Sequence, residues 1–271
     1  MTEINDENLT QNCDWSFPVP IAYGPGRLAE LGRRVGEMGV SNPLIVTDRG
    51  SAGLPFIGEL QRILTAADIQ SQVFADVAPN PLDSDIQVAR QMFREGAHDA
   101  VIAIGGGSGM DAGKATALTA HNDVDIWQFD FDREAPTLAD EHEFPPLICI
   151  PTTAGTGAET ESTAMVTHTE RGMKLCVWHA DLKPSLTLLD PMITVGLPAN
   201  LTAWTGIDAM VHAIEAYCVP DLHPMCDGIA LEALTLIGQW LPKAVAEPDN
   251  LSARGAMQIG CLLYTSPSPR D

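Results

Sequence analysis

Four short apolar runs, each flanked by helix-patterned segments, limit most strongly what this chain can fold into. They are "NPLIVTD" (42–48), "SQVFADV" (71–77), "AVIAIGGG" (100–107) and "PPLICIPTT" (145–153). Most are too apolar to face water on one side, so they read as strands of a parallel sheet covered by helices on both faces. The intervening helices have their own signals. "RLAELGRRVGEMG" carries Leu28, Leu31, Val35 and Met38 at helical spacing, with Gly39 as its stop. "LPFIGELQRILTAAD" reads as a helix, as does "PLDSDIQVARQMFREG", which Asp83 is expected to cap and Gly96 to end. "MDAGKATALTA" continues as a helix beyond the glycines of the third run, and "FPVPIAYGPG" (17–26) reads as an edge strand closed by a turn.

The pattern changes near residue 198. "LPANLTAWTGIDAMVHAIEAYC", "MCDGIALEALTLIGQWLPKAVAE" and "DNLSARGAMQIG" all show 3.6-residue periodicity, and no strand follows. The expectation is an α/β domain over residues 17–197 and a helical one from 198 to 260, with a disordered acidic segment at 1–16.

Charge and cysteine usage narrow the function classes. With 15 basic and 36 acidic residues the net charge is −21, which argues against nucleic acid and anionic membrane partners. No apolar run approaches the ~18 residues of a membrane span. The six cysteines form no C-x-x-C pair, which fits a reducing cytoplasm, and the polar N-terminus is no secretory signal.

"IAIGGGSGMDAGKA" (102–115) sets glycines and a serine between a strand and a helix. Such a turn lets the backbone approach a pyrophosphate, and the helix N-terminus offers N–H groups to it. A Walker A loop fails at Ser108 and Ala115, and the dinucleotide fingerprint has Met110 at its third glycine. A ligand-free turn therefore stays open beside phosphate binding. Asp48, closing "PLIVTD", suits either an adenosine ribose or a helix cap. In "TGIDAMVHAIEAY" (205–217), Asp208 and His212 lie four apart beside an apolar stripe of Ile207, Met210, Val211 and Ile214. They are either a surface pair or two ligands of one metal ion.

Several segments together resemble the iron-containing (group III) alcohol dehydrogenases. These are "VTD" (46–48), "PNP" (79–81), "GGGSGMDAGKA" (105–115), "PTTAGTGAE" (151–159), "GMKL" (172–175), "LPANLTAWTGIDAMVHAIEAY" (197–217) and "HPMCDGIALEAL" (223–234). The resemblance implies a Rossmann-like α/β domain followed by an all-helical domain, a dehydroquinate synthase-like architecture. It implies NAD-linked, reversible oxidation of a small alcohol, with Fe²⁺ (or Zn²⁺) held by Asp208 and His212 and by two histidines further on. It places the pyrophosphate at Gly106, Gly107 and Ser108, the ribose at Asp48, and the rest of the cofactor beside Asn80, Thr152, Thr153 and Lys174. A full-length homo-oligomer is expected. His98, His121, His142, His168, His179 and His223 match no family ligand and read as surface or loop residues.

The sequence has no histidine after His223, and "CLLYTSPSPRD" (261–271) resembles a translated sequencing adaptor. The expectation is therefore a chain truncated within its helical domain, inactive as a fragment, with a non-native tail from Cys261. Two other functions remain open, a dehydroquinate-synthase-like lyase and a non-catalytic nucleotide-binding protein.

Overall fold

The computed structural model describes residues 13–15, 19–138, 143–219 and 224–265. His142, His223, most of the 1–16 segment and residues 266–271 of the tail lie outside the described residues. The chain divides into two compact units. One comprises Leu28–Pro151 and Glu161–Thr187; the other takes the described parts of Met1–Arg27, Thr152–Thr160 and Leu188–Asp271.

In chain order, strands β1 (Cys13–Trp15) and β2 (Ile21–Tyr23) come first, then a 3-10 turn and helix α1 (Leu31–Glu37). Strand β3 (Pro43–Asp48), α2 (Pro55–Ala66), β4 (Gln72–Val77), α3 (Asp83–Glu95), β5 (Ala100–Gly105) and α4 (Gly107–Ala120) alternate as the sequence pattern requires. They lead to β6 (Leu147–Pro151), β7 (Thr163–His168), β8 (Met173–Trp178) and β9 (Leu186–Leu189). Helices α5 (Pro191–Thr194), α6 (Ala199–Tyr217), α7 (Pro224–Ala246) and α8 (Leu251–Thr265) complete the chain.

In the first unit β3 pairs in parallel with both β4 and β5, β5 with β6, and β6 with the start of β9. Strands β5 and β6 are buried throughout, which is why they show no alternation. Helix α4 is the central cover, buried from Gly109 to Ala120. It reaches this depth through Gly113, where an added Cβ would stand 2.4 Å from the Ala103 Cβ on β5.

Three local features differ from expectation. Asp83 is the first residue of α3 rather than its cap. The Asp85 carboxylate instead accepts from the Leu82 and Ala78 N–H groups, at 3.1 and 3.0 Å. Strands β7 and β8 form an antiparallel hairpin whose alternating threonines gave no apolar run to read. His168, expected at the surface or in a loop, is a buried strand residue whose ring stacks on Trp127 at 4.4 Å between centroids.

In the second unit β1 pairs antiparallel with β2, and the Gly24 N–H donates to Leu189 O at the end of β9. Helices α6, α7 and α8 share a core that includes Ala209, Ala213, Leu236, Trp240, Met257 and Cys261. The apolar stripe of α6 is not its buried face: Ile207, Val211 and Ile214 are 51, 46 and 45% exposed. Small residues bury that helix instead, because close helix approach needs them. A Cβ on Gly206 would meet the Leu241 Cδ1 at 2.3 Å. The non-native tail expected from Cys261 is also corrected at its start. Helix α8 continues through Thr265; Met257 and Cys261, one turn apart, are buried in the shared helical core, and Leu262 is buried against Val19, Ile21 and Tyr23. Among the described residues no helix is long and apolar enough to cross a membrane.

The glycines separate packing from propensity. Gly113→Val should destabilise by about 1–3 kcal/mol, since Ala103 is fixed by the sheet. Gly58→Ala, in α2 with nothing within 4 Å of the new Cβ, should stabilise by about 0.5–1 kcal/mol. Urea unfolding of the two variants beside the parent checks both signs.

Candidate functional site

The strand order of the first unit places a switch point between β3 and β5. From β3 the chain moves outward to β4, whereas from β5 it moves outward the other way, to β6. In open α/β sheets ligands bind where the order reverses, outside the carboxyl ends of the strands. Asp48 ends β3, and Gly105 ends β5 and leads through Gly106 into α4.

The glycines at this point are required by the backbone. Gly105 has φ +148°, and a Cβ there would lie 2.8 Å from the Asp48 Oδ2. A Cβ on Gly109 would lie 2.9 Å from the Ile104 carbonyl oxygen. The N-cap of α4 is Gly106, which supplies no side-chain cap. Gly107 and Ser108 open the helix, so their N–H groups stand where an anion is favoured. The Asp48 carboxylate is oriented by Ser51, whose N–H and Oγ–H donate to it at 3.0 and 2.8 Å. Each carboxylate oxygen accepts more than one hydrogen bond, so this turn-closing role is compatible with recognition of a ribose diol. A tight glycine turn, a helix N-terminus and an oriented carboxylate thus stand together at the switch point.

Asn80 and Lys174 come together in the same unit, with the Lys174 ammonium donating to the Asn80 Oδ1 at 3.5 Å. Asn80 has φ +123°, an unfavourable conformation for a non-glycine residue. It is held there partly by its neighbour, since the Thr167 N–H donates to Pro81 O at 2.7 Å.

Helix α4 carries buried charged groups that the sequence pattern did not single out. Lys114 is completely buried in α4, and its ammonium donates to Glu161 O at 3.2 Å. Asp111, one turn earlier, is buried too. Burial pushes the Asp111 carboxyl up, while the Lys114 ammonium, the Met165 N–H and the Lys174 ammonium act to keep it ionised. The available signal was an acid and a base three apart inside "MDAGKATALTA", a helix otherwise without charge.

The second unit carries the remaining candidates. Thr152 is buried and Thr153 half-buried at the start of the glycine–threonine loop. That loop lies against α6, since a Cβ on Gly155 would meet the Thr205 Cβ at 2.8 Å. On α6 the His212 Nδ1 is 2.9 Å from the Asp208 backbone oxygen and 3.6 Å from its Oδ1. A carbonyl oxygen only accepts, so Nδ1 carries the proton and Nε2 is the nitrogen suited to a metal. Both side chains are about two-fifths exposed. The donor types suit iron, but the number does not. Among the described residues no group of three or more His, Cys, Asp or Glu could hold an ion, and a catalytic site needs about three protein ligands. The described residues therefore do not complete an iron site.

A parallel α/β unit thus carries an acid and a glycine turn at its switch point, and a helical unit follows in the chain. Residues 18–191 match the model of the iron-containing alcohol dehydrogenases, and residues 202–266 match the C-terminal model of that family. The chain belongs to the iron-containing alcohol dehydrogenase family. It is 35% identical over 243 residues to the NAD-dependent methanol dehydrogenase of Bacillus methanolicus, covering 89% of this chain and 62% of that protein. It is 34% identical over 252 residues to the 1,3-propanediol dehydrogenase of Klebsiella pneumoniae, covering 92% and 64%. The structure of sulfoacetaldehyde reductase from Bifidobacterium kashiwanohense in complex with NAD⁺ superposes with a TM-score of 0.81 at 33% identity, covering 93% of this chain and 65% of that one. The chain thus spans less than two thirds of the length of these relatives.

The expectation of a fragment cut off within its second domain, with a foreign tail from Cys261, is overturned. Both domain models are matched, and the second match runs to residue 266, past the supposed junction. The buried Cys261 and Leu262 show why: they are core residues of α8.

The buried charges also set thiol reactivity. Burial and the nearby Glu161 push the Cys176 thiol up to about 12, so it is almost entirely protonated at neutral pH. Cys218, just after α6, is exposed. Iodoacetamide at mildly alkaline pH should alkylate Cys218 in the native chain and spare Cys176 until urea unfolds it. Peptide mapping that finds Cys176 modified as fast as Cys218 would contradict this environment.

Proposed function

We propose that this chain acts in an NAD-linked, iron-dependent alcohol dehydrogenase, moving hydride reversibly between a small alcohol and nicotinamide. The observation that carries the reading is the Asp48 carboxylate against the glycine turn at the sheet's switch point, in a chain of this family. Relatives named for methanol and 1,3-propanediol support a small primary alcohol or diol as substrate. The cysteine usage, with no C-x-x-C pair, supports a reducing compartment such as the cytoplasm.

In this reading the N–H groups of Gly106, Gly107 and Ser108 hold the pyrophosphate against the positive end of α4. Asp48 accepts from the adenosine ribose hydroxyls. Asn80 and Lys174 line the rest of the cofactor, with Lys174 supplying a cation to its anionic part. The cofactor carries the redox chemistry, and the protein supplies binding and orientation. Asp208 and His212 are assigned as two of the protein ligands of iron.

Cofactor choice tests the ribose assignment. The fixed charge of Asp48 should repel a 2′-phosphate, so NAD is used in preference to NADP, and Asp48→Gly should narrow that preference by about tenfold or more. Steady-state alcohol oxidation with both cofactors reads this out, and equal use of NADP by the parent would reject it. Metal analysis tests the ligand assignment: iron bound per chain should fall sharply in His212→Ala. Unchanged iron content would return His212 to an ordinary helix surface.

A further inference from the structure

The seam between the Asn80 segment and the β7–β8 hairpin ends in a histidine that the assignments above leave unused. Thr167 of β7 donates its N–H to Pro81 O at 2.7 Å and pairs in parallel with Leu82. Thr167 also pairs in register with Lys174 of β8, whose ammonium donates to the Asn80 Oδ1 at 3.5 Å. One residue further along each side of the seam stands a titratable group. Asp83 follows Leu82, His168 follows Thr167, and both are buried.

The His168 ring lies flat on the indole of Trp127, which belongs to the short 3-10 turn Ile126–Phe129, with 4.4 Å between centroids and 9° between planes. Its Nδ1 is buried without a hydrogen bond and stands 3.9 Å from the Asp83 Oδ2. That oxygen is itself fixed, since the Thr169 N–H donates to it at 3.2 Å. A proton on Nδ1 would turn this gap into a charge-assisted hydrogen bond after a closure of about 1 Å. The indole face accommodates a stacked cation. Other charged groups are carried by the elements around β7: Asp85 on α3, Asp111 and Lys114 on α4, Asp125 and Asp130 at the ends of the 3-10 turn, Glu170 and Arg171 in the hairpin turn, and Lys174 on β8. Among the described residues only the Asp83 carboxylate is in ion-pair range of the His168 ring.

We propose that His168 is a positioning residue for the dinucleotide: its protonation closes the gap to Asp83 and locks the seam that holds Asn80 beside Lys174. The inference rests on the reading of Asn80 and Lys174 as cofactor contacts. Asn80 keeps an unfavourable φ of +123°, and both side chains are exposed, so holding them in place costs free energy. A closed seam removes part of that cost before the nucleotide arrives. Imidazoles change charge between about pH 5 and about pH 8, and the charged form is the one that closes the seam. NADH binding should therefore strengthen as the pH falls through that range.

The test is fluorescence titration of the full chain with NADH at about pH 6 and about pH 8, using the unmutated chain, His168→Phe, Asp83→Asn and the double variant. His168→Phe keeps a ring on Trp127 and removes the proton. Asp83→Asn keeps an acceptor for the Thr169 N–H and removes the charge. The unmutated chain should bind NADH about fivefold or more tightly at the lower pH. Each single variant should bind equally at both, and the double variant should match the singles because the two residues act as one pair. A pH-independent affinity in the unmutated chain, or a pH dependence that survives in either folded variant, would overturn the inference and leave the NAD reading intact. Failure of both single variants to fold would assign the pair to stability and overturn it as well. An unmutated chain that binds no NADH at either pH would overturn both.

Discussion

The contact between Gly113 and Ala103 sets the depth of α4, and much of the first unit follows from that depth. With no Cβ at Gly113, the helix lies directly on β5, and its residues from Gly109 to Ala120 leave solvent. The same approach brings Gly109 against the Ile104 carbonyl and forces the turn at Gly105 under Asp48. A helix end offering N–H groups, a fixed carboxylate and a tight backbone turn are therefore consequences of one packing distance.

Depth also raises the cost of charge. A buried carboxylate or ammonium is tolerated only when paired and hydrogen-bonded, and here Asp111 and Lys114 meet that condition within one helical turn. The effect extends to Cys176, whose thiol is held protonated by burial and by the acids around it. Backbone strain also falls at Asn80, where the neighbouring Pro81 is tied to β7.

The strands β3, β5 and β6 were legible because burial along nearly their whole length leaves uninterrupted apolar runs, and the glycine turn was legible because it joins such a run to a helix. The hairpin β7–β8 was not, since its half-exposed residues are threonines, lysine and methionine rather than an alternation of clear polarity. The exposed side of α6 misled for the opposite reason: apolar periodicity marked Ile207 and Val211, but alanine and glycine make the tighter helix contact. At Cys261 the adaptor-like wording of the tail masked a buried helical position one turn on from Met257. Asp48, Asp208 and His212 could be picked out by position, yet nothing in the sequence shows that Ser51 orients the first or that a backbone oxygen holds the last.

That backbone contact makes the two halves of the Asp208–His212 pair separable. The imidazole is anchored by the main chain of Asp208 and not by its carboxylate, which stands farther off at 3.6 Å. The tautomer of His212 is therefore a property of the helix itself and survives any change of side chain at position 208 that keeps the helix. Replacing Asp208 subtracts a negative donor without turning the ring, whereas an i,i+4 pair joined only through side chains would lose both together.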